Sequence, residues 1–179
     1  MVGCRAISNG ELSFESCRVP KENLIGRLNK GFLDMMVLYD VIRLYLAIGG
    51  VGVAQAALDA SMKFAQERKA FGKPIGDFQM IRAMIVDMAT EIDAARLLTY
   101  RALDMEERGL HHTKETSMAK LYASEASSKV TDMAVQIHGG YGYSKSYPVE
   151  RYYRDARVTR IYEGTSEVHR MVIARGLMG

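Results

Sequence analysis

The sequence contains little cysteine, little proline and no tryptophan. Cys4 and Cys17 are the two cysteines among 179 residues, and their spacing does not suit metal ligation. Two free thiols in a reducing compartment are favoured, although a disulfide between them is the alternative. His111 and His112 are adjacent but have no carboxylate at ligand spacing. The sequence therefore excludes a disulfide scaffold and predicts no metal site.

A strong charge imbalance and a long uncharged run are also missing. The net charge is +3 and no cluster of five or more Lys/Arg residues occurs, so we expect no nucleic-acid partner. The longest uncharged run, 44–58, is shorter than the ~20 residues that a membrane span needs, and no signal peptide is recognisable. With 48% apolar and 25% charged residues, the composition is that of a soluble globular protein. We expect a cytoplasmic location, or the mitochondrial matrix if the organism is a eukaryote.

Most of the chain has the hydrophobic period of helices. Apolar residues recur every three or four positions in segments 32–68, 78–108, 114–138 and 166–177, with a shorter helix at 147–156. The first stripe runs from Met35 through Ile42 and Gly49 to Phe64. Asp77, Thr113 or Thr116, and Thr165 are the expected N-caps of the later helices. Four long helices with short connections predict an all-α fold, an antiparallel four-helix bundle.

The N-terminal residues have a different pattern. Polar and apolar residues alternate over 10–15 after the turn signal Asn9-Gly10, and Pro20 favours an extended residue before it. These features predict the second strand of a hairpin. We therefore expect an N-terminal β remnant ahead of the bundle.

Three loops between the helices carry residue types that are unusual for simple turns. Loop 68–79 combines an arginine, a phenylalanine and glycines, which can hold a diphosphate; a surface turn is the alternative. Loop 136–142 exposes backbone that a ligand can approach, with a glycine C-cap as the alternative. Loop 160–167 places Glu163 ahead of a helix N-terminus, a position that suits a proton-abstracting base; a capping or solvated residue is the alternative.

Taken together, these loops resemble those of the acyl-CoA dehydrogenase family. The match is carried by Arg68-Lys69-Ala70-Phe71-Gly72 with Phe78-Gln79, by Gln136-Ile137-His138-Gly139-Gly140-Tyr141-Gly142 and by Ile161-Tyr162-Glu163-Gly164-Thr165-Ser166-Glu167. It extends over nearly the whole chain, because Phe14-Glu15 and Arg18-Val19-Pro20 resemble the last strand of the family's middle β-domain. The resemblance implies that residues 1–29 are the end of that domain with a linker, and that residues 30–179 are the C-terminal helical bundle.

The resemblance also implies a reaction and a set of site residues. Members of the family oxidise an acyl-CoA thioester to the trans-2-enoyl-CoA, by α-proton abstraction and hydride transfer to FAD. Glu163 matches the catalytic base. The positions that match FAD contacts, mostly to the cofactor of a neighbouring subunit, are Arg68, Phe71, Phe78, Gln79, Gln136, Gly139, Gly140, Thr165 and Glu167. The positions that match substrate contacts are Asp40, Arg43, Tyr162 and Gly164; a local ion pair is the alternative for Asp40 and Arg43.

Two positions depart from the family pattern. Ala70 stands where a threonine or serine is common, so one hydroxyl contact to the cofactor is missing. Ile42 stands where some members carry the base on the first bundle helix, which leaves Glu163 as the candidate.

Several partners follow from the same resemblance. They are acyl-CoA, an electron-transferring flavoprotein as electron acceptor, and further copies of the chain in a homotetramer arranged as a dimer of dimers. We expect the 179-residue chain alone to carry no stoichiometric FAD and to be inactive. A non-catalytic helical oligomerisation module is the alternative from another class, and an acyl-CoA oxidase or reductase is the alternative within the family.

Overall fold

One helix, α3, is the centre of the fold in the computed structural model, which describes residues 1–179. The helices are α1 (Gly31–Glu67), α2 (Gln79–Glu107), α3 (Thr113–His138), α4 (Val149–Ala156) and α5 (Ser166–Met178). Helix α3 packs against all four of the others. The predicted all-α bundle is confirmed, and each predicted helix boundary lies within two residues of the observed one.

Small residues let α1 and α3 approach closely. Ala47, Ala54 and Ala57 of α1 are buried, as are Ala119 and Ala123 of α3. A Cβ on Gly50 would lie 3.2 Å from the carbonyl oxygen of Ala123, so this glycine occupies a close backbone contact. Cores of alanine and a few larger apolar residues therefore hold the bundle together.

The predicted apolar stripe of α1 is wrong by about one position. Leu44, Ala47, Ala54 and Leu58 are buried, whereas Gly49 is exposed. The helix is apolar on several faces, so its period does not select the face that meets α3. By length and composition α1 could also cross a membrane, although 44% of its most apolar window is buried inside the bundle.

Two predicted caps are wrong. Helix α2 is preceded by Phe78, and Asp77 lies in a short 3₁₀ turn (Ile75–Asp77) instead. Helix α3 has His112 at its N-cap, so Thr113 is already helical. The Thr165 cap of α5 is confirmed, because its Oγ1 accepts a hydrogen bond from the Val168 amide at 3.4 Å.

The predicted N-terminal strand is also wrong. Residues 1–20 contain no strand, and the only ladder in the chain pairs β1 (Lys69–Ala70) with β2 (Lys73–Pro74). A hairpin without further strands is marginal in water, which explains why alternation over 10–15 does not produce one. The N-terminal segment instead contacts the bundle through Cys4, whose amide donates to Asp155 Oδ1 at 2.6 Å.

Candidate active site

Glu163 lies on a turn between a 3₁₀ segment (Arg157–Arg160) and α5. Its φ is +50°, in the left-handed region, and Gly164 follows with φ +110°. A non-glycine residue in this region is strained by about 1–2 kcal/mol, so the surrounding structure has to maintain the conformation. The turn therefore holds Glu163 at the start of α5 in a defined orientation.

Two cationic side chains from different helices hold this turn. Arg43 Nε of α1 donates to the carbonyl oxygen of Glu163 at 3.0 Å. Lys120 Nζ of α3 donates to the carbonyl oxygen of Gly164 at 2.5 Å. Both side chains are buried, Arg43 with 7% and Lys120 with 1% of its surface exposed. Consecutive carbonyl groups are thus fixed from two sides.

Arg43 is itself anchored by Asp40. Its Nη1 donates to Asp40 Oδ1 at 2.9 Å, and the other oxygen of Asp40 accepts from Thr113 Oγ1 at 2.5 Å. The local ion pair, the alternative to substrate contact for Asp40 and Arg43, is present, and the substrate role stays a prediction. The pair also links α1 to α3 and to the Glu163 turn, which spacing along one helix could not reveal.

The carboxylate of Glu163 points into a partly buried corner. Its Oε2 is buried and makes no hydrogen bond. Tyr162 is half-buried beside it, and the pKa of its phenol is raised, mainly by burial and further by the negative charges of Cys4 and Glu163. A carboxylate oxygen that is sheltered and free of partners is suited to accept a proton.

His169 closes the corner from α5. Its side chain is fully buried, and its ring nitrogens face the backbone of Glu163 and Gly164 without forming a well-aligned hydrogen bond. Burial, with Lys120 and Arg43 nearby, lowers the pKa of His169 to about 4, so the ring is neutral near pH 7. A Cβ on Gly164 would lie 3.0 Å from His169 Nε2, so this position requires glycine for space as well as for φ.

Glu125 of α3 connects both ends of the turn. Ser166 Oγ donates to Glu125 Oε1 at 2.7 Å, and Arg160 Nε lies 3.0 Å from Glu125 Oε2. Glu167, one residue further, is exposed in the first turn of α5; its own backbone amide, together with the Thr165 hydroxyl, lowers the pKa of its carboxyl. Of the predicted cofactor contacts, Thr165 and Glu167 therefore lie at the Glu163 turn.

A second region lies at the other end of α3, where 18 residues separate Lys120 from His138, about 27 Å along the helix. A cavity of about 480 Å³ opens there, lined by Phe64, Arg68, Ile75, Ile137, His138, Gly139, Gly140, Tyr141 and Ser144. The structure thus brings Arg68, Gly139 and Gly140 together, as the family resemblance implies. Arg68 lies over the Tyr141 ring at 5.1 Å and forms no ion pair.

The hairpin β1–β2 stands beside this cavity. Phe71 and Gly72 form its two-residue loop, with φ +51° and +83°. Phe71 is 96% exposed, and its ring meets that of Phe78 edge-on at 6.2 Å. The sequence predicts only a loop over 68–79, so the hairpin is a difference between the structure and that prediction.

The remaining predicted cofactor residues do not line the cavity. Gln79 begins α2 and Gln136 lies in the last turn of α3, and both are exposed. Phe71 and Phe78 lie on and beside the hairpin. The roles assigned to these residues stay predictions.

Sequence reasoning missed Lys120 and His169. Lys120 belongs to a buried polar stripe on α3, whose members recur at helical spacing: Thr116, Lys120, Ser124, Ser127 and Thr131. A lysine among small polar residues, next to an alanine stripe, was the available signal. His169 gave no comparable signal, because a single histidine in a terminal helix is common.

Comparisons with known proteins show the family to which the chain belongs. A family model described as "Acyl-CoA dehydrogenase, C-terminal domain" matches residues 29–178. The chain is 52% identical to the caffeyl-CoA reductase-Etf complex subunit CarC of Acetobacterium woodii, over 99% of the chain and 46% of that protein. It is 49% identical to the mitochondrial short-chain specific acyl-CoA dehydrogenase of Mus musculus, over 99% of the chain and 43% of that protein.

A solved structure gives the same result. Butyryl-CoA dehydrogenase from Megasphaera elsdenii superposes with a TM-score of 0.91 at 43% identity, over 93% of this chain and 43% of that one. The chain belongs to the acyl-CoA dehydrogenase family and contains its C-terminal domain. It spans less than half the length of the relatives that it matches.

Proposed function

We propose that this chain is the C-terminal bundle of an FAD-dependent acyl-CoA dehydrogenase in which Glu163 is the catalytic base. The reaction is oxidation of an acyl-CoA thioester to the trans-2-enoyl-CoA. The observation that carries the proposal is the buried, unpartnered Oε2 of Glu163 on a strained turn that two buried cations hold. Family membership adds support, because the relatives include a short-chain acyl-CoA dehydrogenase.

The chemistry explains why such a base needs this setting. The α-proton of a thioester is much less acidic than a carboxylic acid, so the base has to be positioned at the α-carbon and sheltered from water. Arg43 and Lys120 fix the carbonyl groups of Glu163 and Gly164, and a trans peptide points its N–H away from its carbonyl. The Gly164 and Thr165 amides therefore have fixed directions as well. The bundle supplies orientation, shelter and a proton acceptor.

The residues around the second cavity are compatible with FAD. Arg68 has no carboxylate partner, and a Cβ on Gly139 or Gly140 would meet nothing within 4 Å, so cation and backbone are open to a diphosphate. Arg68 would hold the diphosphate of an FAD that belongs to a neighbouring subunit, Gly139 and Gly140 would lie toward its adenine side, and Phe71 is exposed for contact with a ring. FAD, when bound, supplies the acceptor for the hydride that leaves the β-carbon.

A reductase is a second candidate within the family. The relative from Acetobacterium woodii is named as a reductase, and it is 52% identical to this chain. The same base and flavin serve either direction, so residues of the bundle do not distinguish the two. The name of that relative also supports an electron-transferring flavoprotein as partner.

The proposal also includes association between copies of the chain and a reducing cellular compartment. Tyr45 and Ile48 leave an apolar part of α1 exposed, which supports association with further copies of the chain; the homotetramer arranged as a dimer of dimers is what the family resemblance implies. Cys4 and Cys17 are free thiols, which supports a reducing compartment, cytoplasmic or, in a eukaryote, the mitochondrial matrix.

The experiment joins this chain to the N-terminal and middle domains of the Megasphaera elsdenii enzyme. The purified chimera is loaded with FAD and mixed anaerobically with butyryl-CoA. We expect the yellow absorbance to bleach, and a reduced chimera to be reoxidised by the enoyl-CoA. A chimera that binds FAD but shows neither change would contradict the proposed function. The 179-residue chain alone is expected to purify without a flavin band.

A further inference from the structure

Lys120 is a buried cation that contacts the backbone beside the proposed base and not its carboxylate. It is 1% exposed in the middle of the bundle and makes no direct salt bridge, although the charges of Glu163 and Glu125 act on it from a longer distance. An unpaired buried charge is costly, so lysine is rarely retained in such a place without compensation. Its one hydrogen bond goes to the carbonyl oxygen of Gly164, at 2.5 Å.

That hydrogen bond acts at the residue that follows the base. The Gly164 carbonyl belongs to the peptide between Gly164 and Thr165, and Thr165 caps α5. Because the peptide is planar and trans, holding its oxygen also fixes the direction of the Thr165 amide. The left-handed backbone of Glu163 and Gly164 is thereby locked between α3 and the start of α5.

The His169 ring is uncharged near pH 7, so Lys120 is the cation that contacts the Gly164 carbonyl. The ring lies against Gly164 and is neutral near pH 7, as described above. Arg43 approaches the turn from α1 on the preceding carbonyl. Each of the two carbonyl groups therefore has one charged donor.

We propose that Lys120 is a positioning residue, which holds the Gly164 carbonyl and so keeps the Glu163 carboxylate in the orientation that proton abstraction requires. This inference rests on the proposed function of Glu163. It concerns a residue of α3 that lies 43 positions from the base in sequence and contributes through the backbone alone.

The charge of Lys120 gives this role a pH dependence. The groups that face its ammonium are Glu163 on the turn and Glu125 on α3, which favour the charge, and Arg43 on α1, which opposes it; His169 on α5 is neutral. Burial outweighs the two carboxylates and lowers the pKa of Lys120 to about 8. The charged donor is thus present at pH 7 and lost as the pH rises through about 8.

The first test uses the FAD-loaded chimera and three variants. Lys120→Met removes the charge, Lys120→Arg keeps it, and Lys129→Met is the matched control on an exposed position of α3. We expect Lys120→Met to lower the rate constant of flavin reduction ten- to hundredfold at pH 7, with less than a threefold change in KM. Lys120→Arg should restore the rate to within about threefold and remove its decline above pH 8. Parental rates and an unchanged pH profile in both Lys120 variants would overturn the proposal.

The second test needs no activity. In the 179-residue chain, amide hydrogen exchange of Val168 and His169, whose amides donate to the Thr165 side chain and carbonyl, is compared with that of core amides in α2. We expect Lys120→Met to speed exchange at the turn at least tenfold, with α2 changed much less. Equal acceleration in both places would assign Lys120 a general role in stability and overturn the positioning role. If Lys120→Met does not fold, Lys120→Arg takes its place. After division by the intrinsic exchange rate at each pH, protection of the turn in Lys120→Arg that still falls above pH 8, as expected for the parent, overturns the proposal. If acyl-CoA does not reduce the flavin of the parent chimera, but Lys120→Met still speeds exchange at the turn, the proposed function is refuted. Lys120 would then still hold the Gly164 carbonyl.

Discussion

Two turns in this molecule place a non-glycine residue in the left-handed region and follow it with a glycine of positive φ. Phe71-Gly72 has φ +51° and +83°, and Glu163-Gly164 has φ +50° and +110°. The first turn joins two short antiparallel strands, where positive φ at both loop positions fits the strand twist. The second has no strand on either side, and Arg43 and Lys120 hold its carbonyl groups.

The difference separates a locally determined turn from one that depends on the assembled bundle. The Phe71 turn is exposed and is set by residues next to it in sequence. The Glu163 turn depends on side chains 120 and 44 positions away from the carbonyl groups that they bind. The candidate base is therefore oriented only when α1, α3 and α5 have packed together.

The largest expected contrast comes from one substitution made in both regions. Arg43→Gln removes a buried donor that pairs with Asp40, and we expect it to lower the free energy of unfolding by about 3 kcal/mol, because the partly buried Asp40 carboxylate is left without its counter-charge. Arg68→Gln, at an exposed position without an ion pair, should change it by less than about 0.5 kcal/mol. Urea unfolding of the 179-residue chain, followed by circular dichroism, measures both. Equal effects would remove the distinction between the two regions.

The glycines of the two turns provide the next contrast. Alanine at Gly164 meets both backbone strain and the His169 ring, so we expect a loss of about 2–3 kcal/mol. Alanine at Gly72 meets strain alone, because a Cβ there has no neighbour within 4 Å, and should cost about 1 kcal/mol. The same unfolding experiment compares them. A larger loss of unfolding free energy in Gly72→Ala than in Gly164→Ala would contradict the close packing of Gly164 against His169.

His169 gives the buried corner a pH dependence that the exposed turn lacks. Unfolded, its pKa is near 6.5, and folded it is about 4, so below pH 6.5 the unfolded chain binds the extra proton. Stability is therefore retained above pH 6.5 and is lost as the pH falls, by about 2 kcal/mol between pH 7 and pH 5. His169→Gln should flatten this part of the stability curve, whereas His111→Gln, at an exposed position, should leave it unchanged. The pKa of His138 is also lowered, mainly by burial, so some slope of the same sign will remain in the His169 variant.

The smallest effect is expected at the local turn. Phe71→Asn places a residue that tolerates the left-handed region ahead of Gly72, and Asn-Gly is the favoured pair for this loop. Since Phe71 is 96% exposed, little packing is lost, and we expect a gain of about 0.5 kcal/mol. A loss of more than 1 kcal/mol would mean that the edge-on contact with Phe78 stabilises the hairpin more than the backbone strains it.

The same comparison explains what could be predicted from the sequence. Helix bounds, the Thr165 cap and the Asp40–Arg43 pair depend on neighbouring residues, and all were predicted. The meeting of Arg68 with Gly139 and Gly140 followed from the family resemblance. The face of α1 that is buried, the role of Lys120 and the contact of His169 with Gly164 depend on how distant helices pack, and periodicity does not contain that information. The N-terminal alternation predicted a strand, but pairing partners are needed to form one.

The central claim is that Glu163 is the base, and Glu163→Gln in the FAD-loaded chimera tests it most directly. Glutamine keeps the size of the side chain, so the hydrogen bonds of Arg43 and Lys120 to the turn and the bound flavin should be retained. Glutamine cannot, however, accept the α-proton. Anaerobic addition of acyl-CoA should leave the flavin absorbance unbleached, whereas Glu107→Gln, an exposed control at the end of α2, should bleach like the parent. Reduction of the flavin at close to the parental rate in Glu163→Gln would contradict the account.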